Sequence, residues 1–337
     1  MSTDMMNAWV INEFGPADNF EKMKVPKPEV IPGHLLVKVK ATSVNPVDYK
    51  IRSGLIKGIA PEKPSILHMD VAGVVEEAGE NVQGFEEGDE IYASGGGMDG
   101  VQGALADYML LDARFAAQKP ESISLREAAA LPLVSITAWE GLIYKAHVQP
   151  AQQVLVHGAT GGVGHMALQL AKWKEAEVSV TASLQEKLDI GKDLGADHGI
   201  NYKLEEVKDY VKKYTDGNGY DLVFDTVGGE NLRNCFEAAR LNGAVIGIAM
   251  RGNHDLTIMH QKGLSLHVVF MPLPLLHNVQ RERHGQILTE IAKLVDNGDI
   301  RPLIDGQAFT FDEIADAHKK AEAGKQIGKI VVTHPDY

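Results

Sequence analysis

The chain has 337 residues, of which 44% are hydrophobic and 23% charged, a composition typical of a folded globular protein with room for two domains. Its net charge of −13 repels phosphate backbones, so nucleic acid is not expected as a main partner. The single cysteine, Cys235, excludes an intrachain disulfide and suits a reducing compartment. Because the sequence contains neither a signal-peptide pattern nor an apolar stretch long enough to span a bilayer, we expect a cytoplasmic protein without a membrane partner.

The first part of the chain, to about residue 125, is predicted to consist of short strands. Apolar residues, partly alternating with polar ones, mark strands at 35–40, 71–76, 88–93 and 106–111. Strands at this spacing predict a small barrel or sandwich. Residues 94–103 contain five glycines and are expected to form a mobile surface loop.

The pattern changes near residue 126, where apolar strands begin to alternate with helical stretches. Strands are predicted at 154–157, 178–181, 199–202, 221–225, 244–249 and 265–271. This alternation predicts a parallel sheet with helices on both faces. A further helix is predicted at 281–297 and a final strand at 328–332.

A glycine-rich turn follows the strand at 154–157 and precedes an amphipathic helix. This order presents backbone N–H groups and a helix N-terminus to a pyrophosphate, so it predicts a dinucleotide site. Ala159 replaces the first glycine of the usual G-x-G-x-x-G motif, while Gly161 and Gly164 hold its other two places. The alternative is a glycine-rich turn without a ligand. The residues expected to contact the cofactor here are Ala159, Thr160, Gly161, Gly162, Val163 and Gly164.

The second strand of this region ends without the carboxylate that would favour NAD. Ser183 follows that strand and Lys187 lies one helical turn further on, a donor and a cation suited to the 2′-phosphate of NADPH. Tyr202 ends the next predicted strand and offers a phenol or a ring face. The alternative for Lys187 is a solvent-exposed helix lysine.

A second glycine turn follows the strand at 221–225. Its Val227 and Gly228 are expected to border the cofactor at the carboxyl edge of the sheet, with a plain β-to-α turn as the alternative. Metal chemistry is not expected, because the thirteen histidines are scattered and one cysteine cannot build a cysteine-rich zinc site.

Seven segments together resemble the medium-chain dehydrogenase/reductase superfamily, in its zinc-independent quinone oxidoreductase branch, to which zeta-crystallin belongs. The resemblance covers nearly the whole chain. The segments are 41–54, 69–75, 84–92, 130–139, 161–164, 225–229 and 328–331.

The resemblance implies an α/β protein with two domains. A GroES-like β-barrel catalytic domain would occupy residues 1–125 and be completed by about 279–337. A Rossmann NADP-binding domain with a doubly wound parallel sheet would occupy 126–278. The active site would lie in the cleft between them.

The resemblance also assigns catalytic positions. Asn45 and Thr137 would lie beside the nicotinamide, and Ser183, Lys187 and Tyr202 match positions that hold the 2′-phosphate. Zinc-dependent relatives carry a cysteine at the position of Asn45 and a histidine two dozen residues later, where this chain has a methionine, so no zinc site is implied.

Further expectations concern neighbouring polar residues. Tyr49 and Lys50 are candidate hydrogen-bond donors for the reaction, and Lys329 is expected to contact the cofactor. Asp48 and Arg52 are expected to form a buried polar pair that holds a loop.

These features predict an NADPH-dependent oxidoreductase that reduces a quinone or an α,β-unsaturated carbonyl compound by hydride transfer. One alternative is a non-catalytic NADPH-binding protein with a crystallin-like or redox-sensing role. Another is an alcohol dehydrogenase, which the missing zinc ligands disfavour. A homodimer is expected, because the apolar strand at 265–271 would form an open sheet edge that a second copy can cover.

Overall fold

A computed structural model of the protein describes residues 4–337. These residues contain the following strands: β1 Met5–Ile11, β2 Phe20–Pro26, β3 His34–Ser43, β4 Ser65–Ile66, β5 Asp70–Ala78, β6 Glu90–Ser94, β7 Tyr108–Asp112, β8 Ala116–Gln118, β9 Gln153–His157, β10 Glu177–Ala182, β11 His198–Asn201, β12 Tyr220–Asp225, β13 Ala239–Gly247, β14 Ser265–Val268, β15 Phe309–Thr310 and β16 Val331–Thr333. Their helices are α1 Pro46–Arg52, α2 Leu125–Ala128, α3 Pro132–Trp139, α4 Gly162–Trp173, α5 Gln185–Asp193, α6 Val207–Tyr214, α7 Asn231–Ala238, α8 Thr257–Lys262, α9 Leu273–His277, α10 Glu282–Asp296 and α11 Ile314–Glu322. Within this part of the chain, none of the helices combines the length and the apolar character needed to cross a membrane.

The chain divides into two compact units. The first unit comprises residues 4–133, 272–298 and 304–337, and the second comprises 134–271 and 299–303. The sequence predicts divisions at 125/126 and 278/279. The compact units of the structure instead divide at 133/134 and 271/272.

The second unit contains one six-stranded parallel sheet in the order β11-β10-β9-β12-β13-β14. The predicted doubly wound parallel sheet is confirmed. Val154, Leu155 and Val156 of the central strand β9 are fully buried, as expected where helices cover both faces of a sheet. The carboxyl ends of these strands meet at one edge, where ligands bind in such folds.

Two strand predictions in this sheet need correction. β14 ends at Val268 rather than at residue 271, because it pairs with β13 only over four residues and Pro272 soon starts α9. β13 begins at Ala239, five residues before the predicted 244, since its first residue pairs with Tyr220 across an irregular register.

The first unit contains sheets in which all strand pairs are antiparallel except β15 with β16, which are parallel. Its seven-stranded sheet has the order β15-β16-β3-β5-β6-β8 with β7 also paired to β3, and its three-stranded sheet has the order β2-β1-β4. The C-terminal strand β16 pairs with the end of β3, so residues far apart in sequence complete one sheet.

The glycine-rich segment 94–103 is not the mobile surface loop that the sequence predicts. Residues 95–98 are buried, and only Asp99 and Gly100 are exposed. The glycines allow close packing: a Cβ atom at Gly103 would lie 2.1 Å from the Leu67 carbonyl oxygen.

Substitution of this glycine tests the packing. Gly103→Ala should lower the free energy of unfolding by about 1 to 3 kcal/mol, because the added methyl group overlaps a backbone carbonyl that cannot move alone. Gly58→Ala is the matched control, since a Cβ there meets nothing within 4 Å. Urea denaturation of both variants measures the difference, and equal stability would contradict this account.

Candidate active site

The turn between β9 and α4 brings the predicted pyrophosphate residues together. Gly158 adopts a φ of +79°, and Gly161 is the N-cap of α4. A Cβ at Gly164 would lie 2.0 Å from the Gly158 carbonyl oxygen, so only glycine lets the first turn of the helix approach this loop. Ala159 and Thr160 are buried within the turn.

This helix start fits a phosphate. No side chain caps α4, and the backbone N–H of His165 is the first to bond back to Gly161. The N–H groups of Gly162, Val163 and Gly164 come before that bond, where a helix leaves its donors unsatisfied. A pyrophosphate is therefore chemically suited to this cradle.

The turn after β12 lies beside the first one. Its Asp225 is fully buried and accepts hydrogen bonds from the backbone N–H groups of Val227 at 3.0 Å and Gly228 at 3.2 Å. Thr226 Oγ1 donates to the His157 carbonyl oxygen at 2.7 Å, which ties the end of β12 to the end of β9. The sequence places Asp225 and Thr226 in the matched segment 225–229 but assigns no role to either side chain.

The predicted 2′-phosphate residues lie at the ends of β10 and β11. Ser183 directly follows β10, and the backbone N–H of Tyr202 donates to the Ala182 carbonyl oxygen at 3.3 Å. Tyr202 is 56% exposed, and Lys187 in the first turn of α5 is half-buried. The tip of β10 carries no carboxylate, so a phosphate meets no repulsion from it.

In the first unit, a buried polar network surrounds Asn45. Its amide nitrogen donates to Asp70 Oδ2 at 2.7 Å, and its Oδ1 accepts from the Lys329 ammonium at 2.5 Å. Lys329 also donates to the Val44 carbonyl oxygen at 3.1 Å and lies 3.6 Å from Asp70 Oδ2. Burial lowers the pKa of Lys329, against the attraction of the nearby carboxylates. Both ends of the Asn45 amide are thus fixed.

Asp70 organises this network. It is fully buried at the start of β5, and it accepts from Ser43 Oγ at 2.7 Å and from the Leu133 backbone N–H at 2.9 Å. Sequence reasoning quoted Asp70 within a motif and gave it no role, because its partners come from distant segments.

Asp48 is the second buried carboxyl group of the network. Its Oδ2 accepts from the Asn45 backbone N–H at 2.7 Å, and its Oδ1 has no hydrogen-bond partner among residues 4–337. Burial raises its pKa to about 7, and the charge of Asp70 adds to that shift.

Asp48 and Arg52 do not form the predicted pair. Arg52 instead donates to Glu322 Oε1 at 2.5 Å, to the Gly15 carbonyl oxygen at 2.5 Å and to His318 Nδ1 at 3.3 Å. Positions four apart share one helix face, but the Asp48 carboxyl group turns back to the Asn45 backbone, and Arg52 reaches partners outside α1.

His68 adopts a φ of +75° and is fully buried. Its ring lies 3.1 Å from Thr42 Oγ1 and 2.9 Å from His318 Nε2. Desolvation lowers the pKa of His68 to about 3, so its ring is neutral at physiological pH.

The other predicted catalytic residues are placed as follows. Tyr49 and Lys50 are half-buried on α1, directly after Asp48. Burial raises the pKa of Tyr49, and the negative charges of Glu322 and Asp48 raise it further. Thr137 lies on α3 in the second unit and is 4% exposed. Among the described residues, no three His, Cys, Asp or Glu side chains are grouped to hold a metal ion.

Comparison with known proteins gives consistent matches. Residues 31–121 match the family described as "Alcohol dehydrogenase GroES-like domain", and residues 194–332 match the one described as "Zinc-binding dehydrogenase". The predicted GroES-like domain is confirmed by the first match.

Relatives with known names align over almost the whole chain. The "NADPH-dependent alkenal/one oxidoreductase, chloroplastic" of Arabidopsis thaliana is 32% identical over 97% of this chain and 79% of its own. The "Chloroplast envelope quinone oxidoreductase homolog" of the same organism is 32% identical over 98% of this chain and 99% of its own. An alcohol dehydrogenase superfamily protein from Novosphingobium aromaticivorans has a crystal structure similar to this one, with a TM-score of 0.93, 38% identity and coverage of 97% and 99%.

Because the Asp48 carboxyl group is buried, we expect the stability of the parent protein to depend on pH in a way that an Asp48→Asn variant does not share. Folded Asp48 keeps its proton up to a pKa of about 7, whereas the unfolded chain releases it near 3.8, so this group's contribution to stability falls as pH rises between those values. Asp48→Asn removes the effect. The variant should therefore gain about 2 to 3 kcal/mol relative to the parent protein between pH 5 and pH 8.

Urea denaturation of both proteins at the two pH values measures this gain. Asp99→Asn, at an exposed position, is the control and should show the pH dependence of the parent protein. A constant difference between Asp48→Asn and the parent would refute the assignment.

Proposed function

The chain belongs to the medium-chain dehydrogenase/reductase superfamily, and from this premise we propose that it is an NADPH-dependent, zinc-independent reductase of quinones or α,β-unsaturated carbonyl compounds. The observation that carries the cofactor assignment is the uncapped glycine start of α4 next to a strand end without a carboxylate. The names of the two Arabidopsis relatives support the substrate class.

The proposed cofactor contacts follow the geometry of the second unit. The pyrophosphate would lie against the turn at 159–164, bordered by Val227 and Gly228. Ser183, Lys187 and Tyr202 would hold the 2′-phosphate, since a serine donor and a lysine cation complement a dianionic group. Thr137 and Lys329 are proposed to contact the nicotinamide half.

A nicotinamide held at this site would be the source of the hydride that an electrophilic carbon of the acceptor receives. Negative charge then develops on the acceptor oxygen, and preorganised hydrogen-bond donors stabilise it. We assign this role to Tyr49 and Lys50. The raised pKa of Tyr49 keeps its hydroxyl protonated, so it remains a donor. Asn45 shapes the site with an amide that Asp70 and Lys329 hold in one orientation.

The same network supports zinc independence. The Asn45 oxygen is bonded to an ammonium group, and that cation lies close to where a zinc ligand stands in related enzymes. A second, divalent cation there would be repelled in a poorly solvated environment.

The cytoplasmic location of the protein stays a prediction.

We also propose a homodimer. β14 is one of the two edge strands of its sheet; Val268 at its end is 49% exposed, and Phe270 just beyond it is 46% exposed. An apolar open edge is stabilised by pairing with a second copy. Light scattering at micromolar concentration should give the mass of a dimer, and a monomer mass would contradict this.

Replacement of Lys187 tests the cofactor preference. Loss of a charged hydrogen bond costs about 1.5–3 kcal/mol, so Lys187→Ala should weaken NADPH binding roughly ten-fold or more and leave NADH binding almost unchanged. Lys192→Ala, at an exposed position on the same helix, is the control. Equal losses for both cofactors in fluorescence titrations would refute the 2′-phosphate site.

The reaction is tested in both directions on one preparation. Quinones and enones are already electrophilic, so positioning and a few hydrogen bonds suffice for their reduction. Without a Lewis acid, oxidation of ethanol or propanol should be negligible. We expect NADPH-dependent turnover of at least one quinone or enone, and no stoichiometric zinc by elemental analysis.

Fast alcohol oxidation without quinone or enone turnover would favour the alcohol dehydrogenase alternative. Tight NADPH binding without activity in either direction would favour a non-catalytic binding protein. About one zinc per chain, with activity lost to a chelator, would refute zinc independence.

A further inference from the structure

A cavity of about 510 Å³ lies within the first unit, along strand β7. Such a volume is in the range of small-molecule sites. The residues that line it do not include Asn45, Tyr49, Lys50 or Lys329, so it is separate from the network described above.

Most of the cavity wall is apolar. Met6, Val25, Ile66, Leu110 and Leu275 line it, from five different elements of the first unit. This wall favours an apolar ligand body, because contact with it removes hydrocarbon surface from water.

The cavity extends along strand β7, so its two ends can be distinguished by the residues at the two ends of that strand. Tyr108, Leu110 and Asp112 alternate along the strand and so share one face; all three line the cavity, as does the intervening Met109. The face therefore runs over roughly 14 Å from an aromatic residue to a carboxylate.

The Asp112 end brings two guanidinium groups together around one carboxylate. Arg281 Nη1 donates to Asp112 Oδ2 at 2.8 Å, and Arg114 donates to the same carboxylate at 2.7 and 3.0 Å. Burial by itself raises the pKa of Asp112, but these hydrogen bonds outweigh it and lower the pKa to about 2. One buried carboxylate thus faces two guanidinium groups, while the exposed Glu282 adds its charge near Arg114.

Arg281 has donor capacity left. Its Nε is buried and has no hydrogen-bond partner among residues 4–337. A buried unsatisfied donor on a cation is costly, and an anionic ligand oxygen would satisfy it.

The opposite end is electrically balanced. Lys27 lies 3.8 Å above the Tyr108 ring and 3.3 Å from the Glu76 carboxylate, which also accepts from the Tyr108 hydroxyl at 3.4 Å. Of the two ends, the Arg281 end is the one that offers a ligand a buried cationic donor with no hydrogen-bond partner among residues 4–337.

We propose that this cavity binds a small amphipathic carboxylate, with its carboxylate at Arg281 and its apolar chain along β7 towards Tyr108 and Met6. The apolar wall accounts for the chain, and the unpaired guanidinium donor accounts for the headgroup. The site is independent of the proposed reductase activity.

The test compares decanoate with decan-1-ol by isothermal titration calorimetry on the full chain. The two probes share a hydrocarbon chain and differ in the headgroup, so the comparison isolates the charge. Decanoate should bind at least about ten-fold more tightly than decan-1-ol. Arg281→Gln should abolish this advantage without affecting decan-1-ol, and Arg283→Gln, an exposed arginine on the same helix, is the matched control.

A second variant keeps the test decisive if Arg281→Gln does not fold. Leu110→Trp fills the cavity and should weaken the binding of both probes by about ten-fold or more. Thermal unfolding checks that each variant is folded. Failure of both probes to bind, equal affinity of the two, or unchanged decanoate binding in Leu110→Trp would overturn the proposal.

Discussion

The first unit depends on one lysine ammonium held in its interior by an amide oxygen, a backbone carbonyl oxygen and a nearby carboxylate. A buried charge is tolerated only when it is paired and hydrogen-bonded. Lys329 donates to Asn45 and Val44 and is paired with Asp70. Lys329 lies just before β16, so its ammonium reaches this position only when β16 pairs with the end of β3. The network therefore ties the end of the chain to its first hundred residues.

In the second unit, the fold depends instead on the close approach of two backbone segments in the turn between β9 and α4. Gly158 and Gly164 approach so closely that no side chain fits between them, and Thr226 links the neighbouring turn to the end of β9. Rigid turns at adjacent strand ends keep the backbone donors of α4 aimed in one direction. Preorganised donors bind an anion without first losing conformational freedom.

The sequence predicted those features that depend on local pattern. The apolar strands of the parallel sheet, the glycine turn and the helix at Glu282–Asp296 were found because periodicity and glycine spacing are visible within a short window. The buried network was not found, because Lys329 and Asn45 are 284 positions apart and only the completed sheet joins them.

The glycine content of residues 94–103 led to a wrong prediction, again because the deciding contacts come from residues distant in the sequence. In residues 94–103 it indicated mobility, whereas the missing side chains make room for the backbone of Leu67 and His68. The pairing assigned to Asp48 and Arg52 also failed, since Arg52 finds its partners on α11, far away in sequence. The composition of a segment is compatible with several conformations and contacts, and the residues that pack against it in the fold determine which of them forms.

The protonation of Asp48 connects the stability of the first unit with the proposed chemistry. With both carboxyl groups ionised, the network of Asp48, Asp70 and Lys329 has a net charge of −1, and it is neutral when Asp48 holds a proton. Hydride transfer to a carbonyl system creates negative charge on oxygen, and an extra anion nearby would oppose it. Burial raises the pKa of Asp48 to about 7 and so favours the neutral network. The same desolvation that makes an ionised Asp48 costly thus reduces the repulsion that a developing oxyanion near α1 would meet.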